Sequence, residues 1–198
     1  MHTTAEFFFD FGSPTTYLAH TQMAKLAADT GAAVIYRPML LGGVFKATGN
    51  ASPVTVPAKG RWMGQDMARF ARRYQVPFAH NPHCPLNTLT LMRGAAGLQL
   101  RDPQALMRYV DAVFNAMWVQ PCNMGDPAVL AQVLGAAGFE AEPFMALVSD
   151  PEVKAALVAT TEEAVARGAF GAPTVFVGDA MFFGQDRLDF VREALTGK

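Results

Sequence analysis

Cysteine is scarce in this chain. Two occur in 198 residues, Cys84 and Cys122, and there is no Cys-x-x-Cys pair. That excludes a disulfide-built secreted scaffold and removes the usual dithiol redox centre. An excess of one charge is also missing: 16 basic and 17 acidic side chains, interspersed, leave a formal net charge of −1. Such a balance gives no electrostatic footprint for nucleic acid or for an anionic membrane. No uncharged apolar stretch approaches the roughly 20 residues that span a bilayer. The opening residues, Met1-His2-Thr3-Thr4-Ala5-Glu6, lack the basic n-region of a signal peptide and run straight into a strand-like segment. These absences point to a cytoplasmic chain without nucleic-acid or membrane partners. A small molecule or another protein remains as the partner.

What is abundant is apolar. Hydrophobic residues make up 51% of the chain, which excludes disorder and permits a substantial core. The length suits one large domain or two small ones. Glu6-Phe7-Phe8-Phe9-Asp10-Phe11, ending at Gly12, predicts a short buried strand. Ser13-Pro14 then offers a favoured N-cap and a favoured first helical residue. Ala19, Met23, Leu26 and Ala27 share a helical face, and Gly31 closes the helix. Ala33 to Arg37 predicts a second strand, so the chain opens as a βαβ unit with parallel pairing.

The middle is helical. Met63, Met67, Phe70 and Tyr74 fall on one face, and Asn87 can cap a helix carrying Leu91 and Ala95. Asp102-Pro103, Asp126-Pro127 and Asp150-Pro151 each combine an acidic cap with proline at the first helical position. Strands return only at Thr174–Val177 and Ala180–Phe183, joined by the hairpin signal Gly178-Asp179, and a last helix starts at Gln185. Neither end has strands enough for a stable sheet of its own. The pattern therefore predicts a discontinuous α/β domain, residues 1–45 with 168–198, holding a helical insertion over residues 46–167.

Three segments carry candidate chemistry. Ser13 sits where a strand gives way to a helix, and helix N-termini favour anions through free N–H groups and the dipole. Its hydroxyl reads as a plain cap or as a donor to a bound anion, and the two roles are compatible. Phe170-Gly171-Ala172-Pro173-Thr174 leads into a strand. Phe183-Gly184-Gln185-Asp186-Arg187 is a second strand-to-helix junction, where Gln185 and Asp186 read as caps or as holders of a charged ligand group. His80-x-x-His83-Cys84 has a metal-like spacing, but Pro82 and Pro85 stiffen that loop and no further ligands cluster nearby, so no metal is expected.

In this order the segments resemble the 2-hydroxychromene-2-carboxylate isomerase family, which is close to kappa-class glutathione transferases and built like the DsbA oxidoreductases. The likeness runs from Phe11-Gly12-Ser13-Pro14-x-x-Tyr17, through Arg37-Pro38, Lys46-Ala47-Thr48-Gly49-Asn50, Lys59-Gly60 and Asn81-Pro82-His83, to the two C-terminal segments. It implies an α/β, thioredoxin-like fold (βαβ…ββα) with a large all-helical insertion, of the DsbA and kappa-class type. It implies glutathione as cosubstrate, a small aromatic or unsaturated substrate, and a homodimer. Ser13 matches the catalytic serine that replaces the nucleophilic cysteine of thioredoxin-like proteins. Ser13, Pro14, Asn50, Lys59, Ala172, Pro173, Gln185 and Asp186 match glutathione-binding positions, with Pro173 as a cis-proline. Phe11, Lys46 and Asn81 are the implied substrate contacts. The loops around Phe45 and around Asn81 to Thr88 depart from relatives that process naphthalene metabolites.

Three other functions compete with a glutathione-dependent isomerase: a kappa-class-like transferase, a DsbA-type oxidoreductase and a non-catalytic glutathione-binding module. The oxidoreductase needs a reactive cysteine where Ser13 stands. An insulin-reduction assay is therefore expected to show no activity above buffer, and reduction at the rate of a dithiol oxidoreductase would refute the serine assignment.

Overall fold

A computed structural model describes residues 3–197. The strands are β1 (Thr4–Phe9), β2 (Ala33–Pro38), β3 (Thr174–Val177) and β4 (Ala180–Phe183). The helices are α1 (Pro14–Thr30), α2 (Leu41–Thr48), α3 (Pro57–Tyr74), α4 (Leu89–Arg101), α5 (Pro103–Trp118), α6 (Pro127–Ala136), α7 (Ala141–Ser149), α8 (Pro151–Ala166) and α9 (Leu188–Thr196). The sheet order is β2-β1-β3-β4. Strand β1 pairs parallel with β2, Phe7 opposite Tyr36, and antiparallel with β3, Phe7 opposite Val175. The two ends of the chain thus share one sheet through β1. This is the expected thioredoxin-like arrangement with an intervening helical block.

The run of phenylalanines follows from the position of β1. Phe7 and Phe9 enter the large core with Leu18, Met23, Val175 and Val191. Phe8, on the other face, enters a smaller core with Met39, Val44, Ala164 and Phe176. A strand covered on both faces has no polar side to alternate with. The large core continues without a break into the helical block, through Val110, Phe114, Trp118 and Leu134. Sheet and helices are therefore stabilised as one body.

Above the small core, Glu6 accepts from Arg37 at 3.2 Å and from Arg167 at 2.7 Å, and Glu163 pairs with both arginines. The Arg167 guanidinium lies 3.9 Å over the Phe176 ring. The network fastens α8 to β1 and β2. On the opposite side His20 joins the Tyr36 hydroxyl (2.7 Å) to the Asp111 carboxylate (3.0 Å), tying α1 and β2 to α5.

Sequence signals located most helix starts. Ser13, Asp102, Asp126 and Asp150 all accept a backbone N–H from the first turn they precede. Gly31 ends α1 in the left-handed conformation, and the Asn87 side chain accepts from Leu89 N–H just before α4. The expected first strand stops at Phe9, not Phe11, because Asp10 turns the chain. The expected last helix opens as a 3-10 turn over Gln185–Arg187. Helices α2 and α7 lacked a signal: neither has a side-chain cap, and α2 carries two glycines in its first turn. Helix α2 also runs through the expected domain boundary at 45/46. Among the described residues no helix is long and apolar enough to cross a membrane.

Helix α4 packs closely because it carries Gly94. A Cβ there would lie 2.4 Å from the Tyr109 hydroxyl and 2.7 Å from the Phe144 ring. Both neighbours are buried, so neither can swing away. Gly94→Ala is expected to destabilise the fold by roughly 1–3 kcal/mol, despite the helix propensity gained, as read by urea denaturation.

Candidate functional site

The site begins where β1 ends. Asp10 is fully buried, and its carboxylate accepts three hydrogen bonds: Gly12 N–H at 2.8 Å, Leu41 N–H at 2.8 Å and the Thr88 hydroxyl at 3.1 Å. One side chain therefore fixes the turn before Ser13, the start of α2 and the start of α4. The Leu41 bond satisfies one of the N–H groups that a helix start leaves free. Burial pushes the Asp10 carboxyl above its ordinary value, against the pull of the three donors.

Ser13 follows as the cap of α1. Its oxygen accepts Thr16 N–H at 3.2 Å, and its hydroxyl donates to the Ala172 carbonyl at 3.0 Å. Thr15 crowds the same point, with its hydroxyl 2.9 Å from Ser13 Oγ and 3.3 Å from Ala172 O. Residues 159 apart in sequence thus meet through one hydroxyl. Thr16 occupies the second place of a Cys-x-x-Cys spacing, so that spacing carries two hydroxyls and no thiol. Its Oγ1 is buried without a hydrogen-bond partner.

The Ala172–Pro173 peptide is cis. Among the described residues, the Ala172 carbonyl is met only by side-chain hydroxyls, and its N–H makes no hydrogen bond. Gly171 lets this loop lie against β4, since a Cβ would approach the Phe183 ring to 2.8 Å. The Gly184 N–H donates to Pro173 O at 3.0 Å, with Gly184 at φ 100°, a conformation that side chains disfavour. This bond carries the junction on to Gln185, whose carbonyl accepts the Tyr74 hydroxyl at 2.7 Å. Burial first, then the Asp189 and Asp186 carboxylates, pushes the Tyr74 hydroxyl up to about 12, which keeps it a donor. Asn50 joins from the other side, its amide donating to Phe170 O at 2.8 Å.

Ser13, Pro14, Asn50, Ala172, Pro173 and Gln185 therefore belong to one continuous hydrogen-bonded junction. Asp186 adjoins it, paired with Arg187, and neither Gln185 nor Asp186 caps α9 through its side chain. A cavity of about 170 Å³ opens beside them, lined also by Gln22, Arg73 and Tyr74. Lys46 and Lys59 stand exposed on α2 and α3, without a side-chain partner among the described residues.

Two of the expected substrate contacts need correction. The Phe11 side chain is wholly buried, its ring centroid 4.9 Å from that of Phe114, while its carbonyl accepts the Trp118 indole at 2.8 Å. Asn81 is wholly buried too. Its amide donates to Cys122 O at 3.1 Å and accepts His83 N–H at 2.9 Å. Both are struts, with no surface to offer a substrate.

The sequence reading missed Asp10, Thr15, Thr88 and Tyr74. Asp10 had a signal, because an ionisable residue inside a phenylalanine run must find partners. Burial raises the thiols of Cys84 and Cys122, which suppresses thiolate at both. Among the described residues, no three side chains of His, Cys, Asp or Glu gather as a metal site.

Comparison with known proteins extends this picture. A model of the DSBA-like thioredoxin domain matches residues 4–196. A 2-hydroxychromene-2-carboxylate isomerase of Sphingobium xenophagum is 32% identical over 197 residues, covering 98% of this chain and 99% of the relative. Human glutathione S-transferase kappa 1 is 29% identical over 208 residues, covering 98% and 91%. A solved 2-hydroxychromene-2-carboxylate isomerase structure superposes with a TM-score of 0.84 at 29% identity, covering 97% of this chain and 94% of that one.

The raised Asp10 carboxyl has a consequence for stability. The folded state holds this proton more tightly than the unfolded chain, so stability falls as pH rises from 3.8 through the folded value. The lowered carboxyls of Asp29 and Asp150 act in a different window, at and below 3.8. Asp10→Asn puts a donor where an acceptor stood. It is expected to cost roughly 2–3 kcal/mol and to flatten that slope, measured by urea denaturation across pH.

Proposed function

The chain belongs to the 2-hydroxychromene-2-carboxylate isomerase family of DSBA-like thioredoxin domain proteins, and from that premise we propose that it is a glutathione-dependent isomerase. The observation that carries the reading is the Ser13 hydroxyl, held on a helix N-terminus against the free backbone edge of Ala172. This junction fits a peptide thiol. Ala172 offers an N–H and a carbonyl, as a strand edge does, and no thiol of the protein competes there. When bound, glutathione supplies a nucleophilic sulfur for reversible addition to a conjugated double bond, which frees that bond to rotate before elimination.

The residues act as follows. Ser13 turns its proton from Ala172 O toward the anion, while Thr15 can take over the carbonyl. The start of α1 adds its partial positive charge at the same point. Free thiols ionise near 8.5, so both effects favour thiolate at neutral pH. Ala172 and Pro173 align the peptide. Gln185 and Asp186 receive its γ-glutamyl end, and Asn50 and Lys59 the opposite end. Lys46 stands free on α2 to meet an anionic substrate. A second reading, a transferase that stops after addition, is favoured by the likeness to human glutathione S-transferase kappa 1. The reading includes a homodimer in a reducing cytoplasm, which suits two unpaired cysteines.

Ser13→Ala tests the assignment. Glutathione-dependent turnover of chromene or enone substrates should fall by about 10²-fold or more, on the scale of losing one preorganised donor. The pH titration of bound thiolate absorbance should move upward, a shift that lost capping alone does not produce. Wild-type turnover with an unmoved titration would refute the serine role.

A further inference from the structure

A second cavity, larger than the one beside Gln185, has neither Ser13 nor Ala172 in its lining. It has a volume of about 440 Å³ between α2, α4 and α8, within the usual range of small-ligand clefts. Its walls are mostly apolar: Leu40, Leu89, Leu157 and Val158, with Gly43 and Ala47 leaving the room. Val158 is 52% exposed at its rim.

Its charges are unbalanced. Arg93 and Lys154 both line the cavity, both are half-buried, and neither forms an ion pair or side-chain hydrogen bond among the described residues. Every other half-buried arginine cited above has an acid beside it. The one acid of the lining, Glu162, is exposed and pairs with neither cation. It stands two turns of α8, about 12 Å, beyond Lys154. The register of the walls explains the separation. Arg101 at the end of α4 pairs with Asp150 at the start of α8 (3.0 Å), so the two helices lie antiparallel. Lys154 then lies one turn from this anchor and Arg93 two turns. The opposite end, at Leu40 and Leu89, also holds Thr161, whose hydroxyl accepts Leu40 N–H at 2.9 Å, and Glu162, one turn beyond the level of Arg93; it adjoins the Asp10 clamp through Leu41 and Thr88.

We infer that this cleft binds a compact apolar monocarboxylate, its rings or chain against the leucines and its carboxylate between Arg93 and Lys154. The inference is independent of the glutathione reading. Neither Ser13 nor Ala172 lines the cleft, so occupancy needs neither the serine nor a thiol.

Isothermal titration of the full chain with trans-cinnamate, without glutathione, tests it. One site is expected. The neutral isostere cinnamamide should bind the wild type at least tenfold more weakly, a comparison that involves no variant. Arg93→Gln with Lys154→Gln should weaken cinnamate at least tenfold. Val158→Trp, which fills the cleft from an exposed position, should do the same, and Ser13→Ala should bind cinnamate as the wild type does. Four results would overturn the inference: no binding at millimolar cinnamate, binding indifferent to the ligand's charge, binding lost in Ser13→Ala, or a dimer that Val158→Trp splits in sedimentation, which would assign the cleft to a second copy of the chain.

Discussion

A buried carboxylate with three donors organises this molecule. Asp10 stands at the exit of the central strand, where the chain must turn from β1 into α1. Its remaining oxygen reaches the starts of α2 and α4. Burying a carboxyl costs free energy that only its hydrogen bonds offset, so the three segments hold one arrangement or lose all three bonds. The position of Ser13, three residues on, inherits that rigidity.

The Ser13 hydroxyl then joins what Asp10 has fixed to what the C-terminal strands supply. Its bond to Ala172 crosses from the first to the last part of the chain. Pro173 O to Gly184 N–H continues the path to Gln185, and Tyr74 closes it from α3. The result is a junction whose bonds fall mostly on backbone groups.

Hydrophobic chemistry is confined elsewhere. The faces of β1 feed two cores, and the large one runs unbroken into the helical block. The rings of Phe11, Phe114 and Tyr109 stack up behind the serine turn rather than in front of it. This is why Phe11 reads as a substrate contact in one dimension and is a core residue in three.

Local rules made much of this legible from the residues. Proline after an acid marked three helix starts, glycine closed α1, and a phenylalanine run marked the doubly covered strand, because each depends on a few neighbouring residues. The motifs around Ser13, Pro173 and Gln185 picked out segments that the fold brings together. Helices α2 and α7 were not legible, since their starts are satisfied by distant groups or by none of the usual caps. The fate of Asn81 was decided only by folding: the same side chain is a free amide in a loop or a buried strut, depending on whether Cys122 O lies 3.1 Å away. The sequence by itself determined most of the elements, the serine cap and the absence of a redox pair. Only the tertiary structure decided what the serine faces, because a contact across 159 residues has no local signature. It exists once β1 stands between β2 and β3.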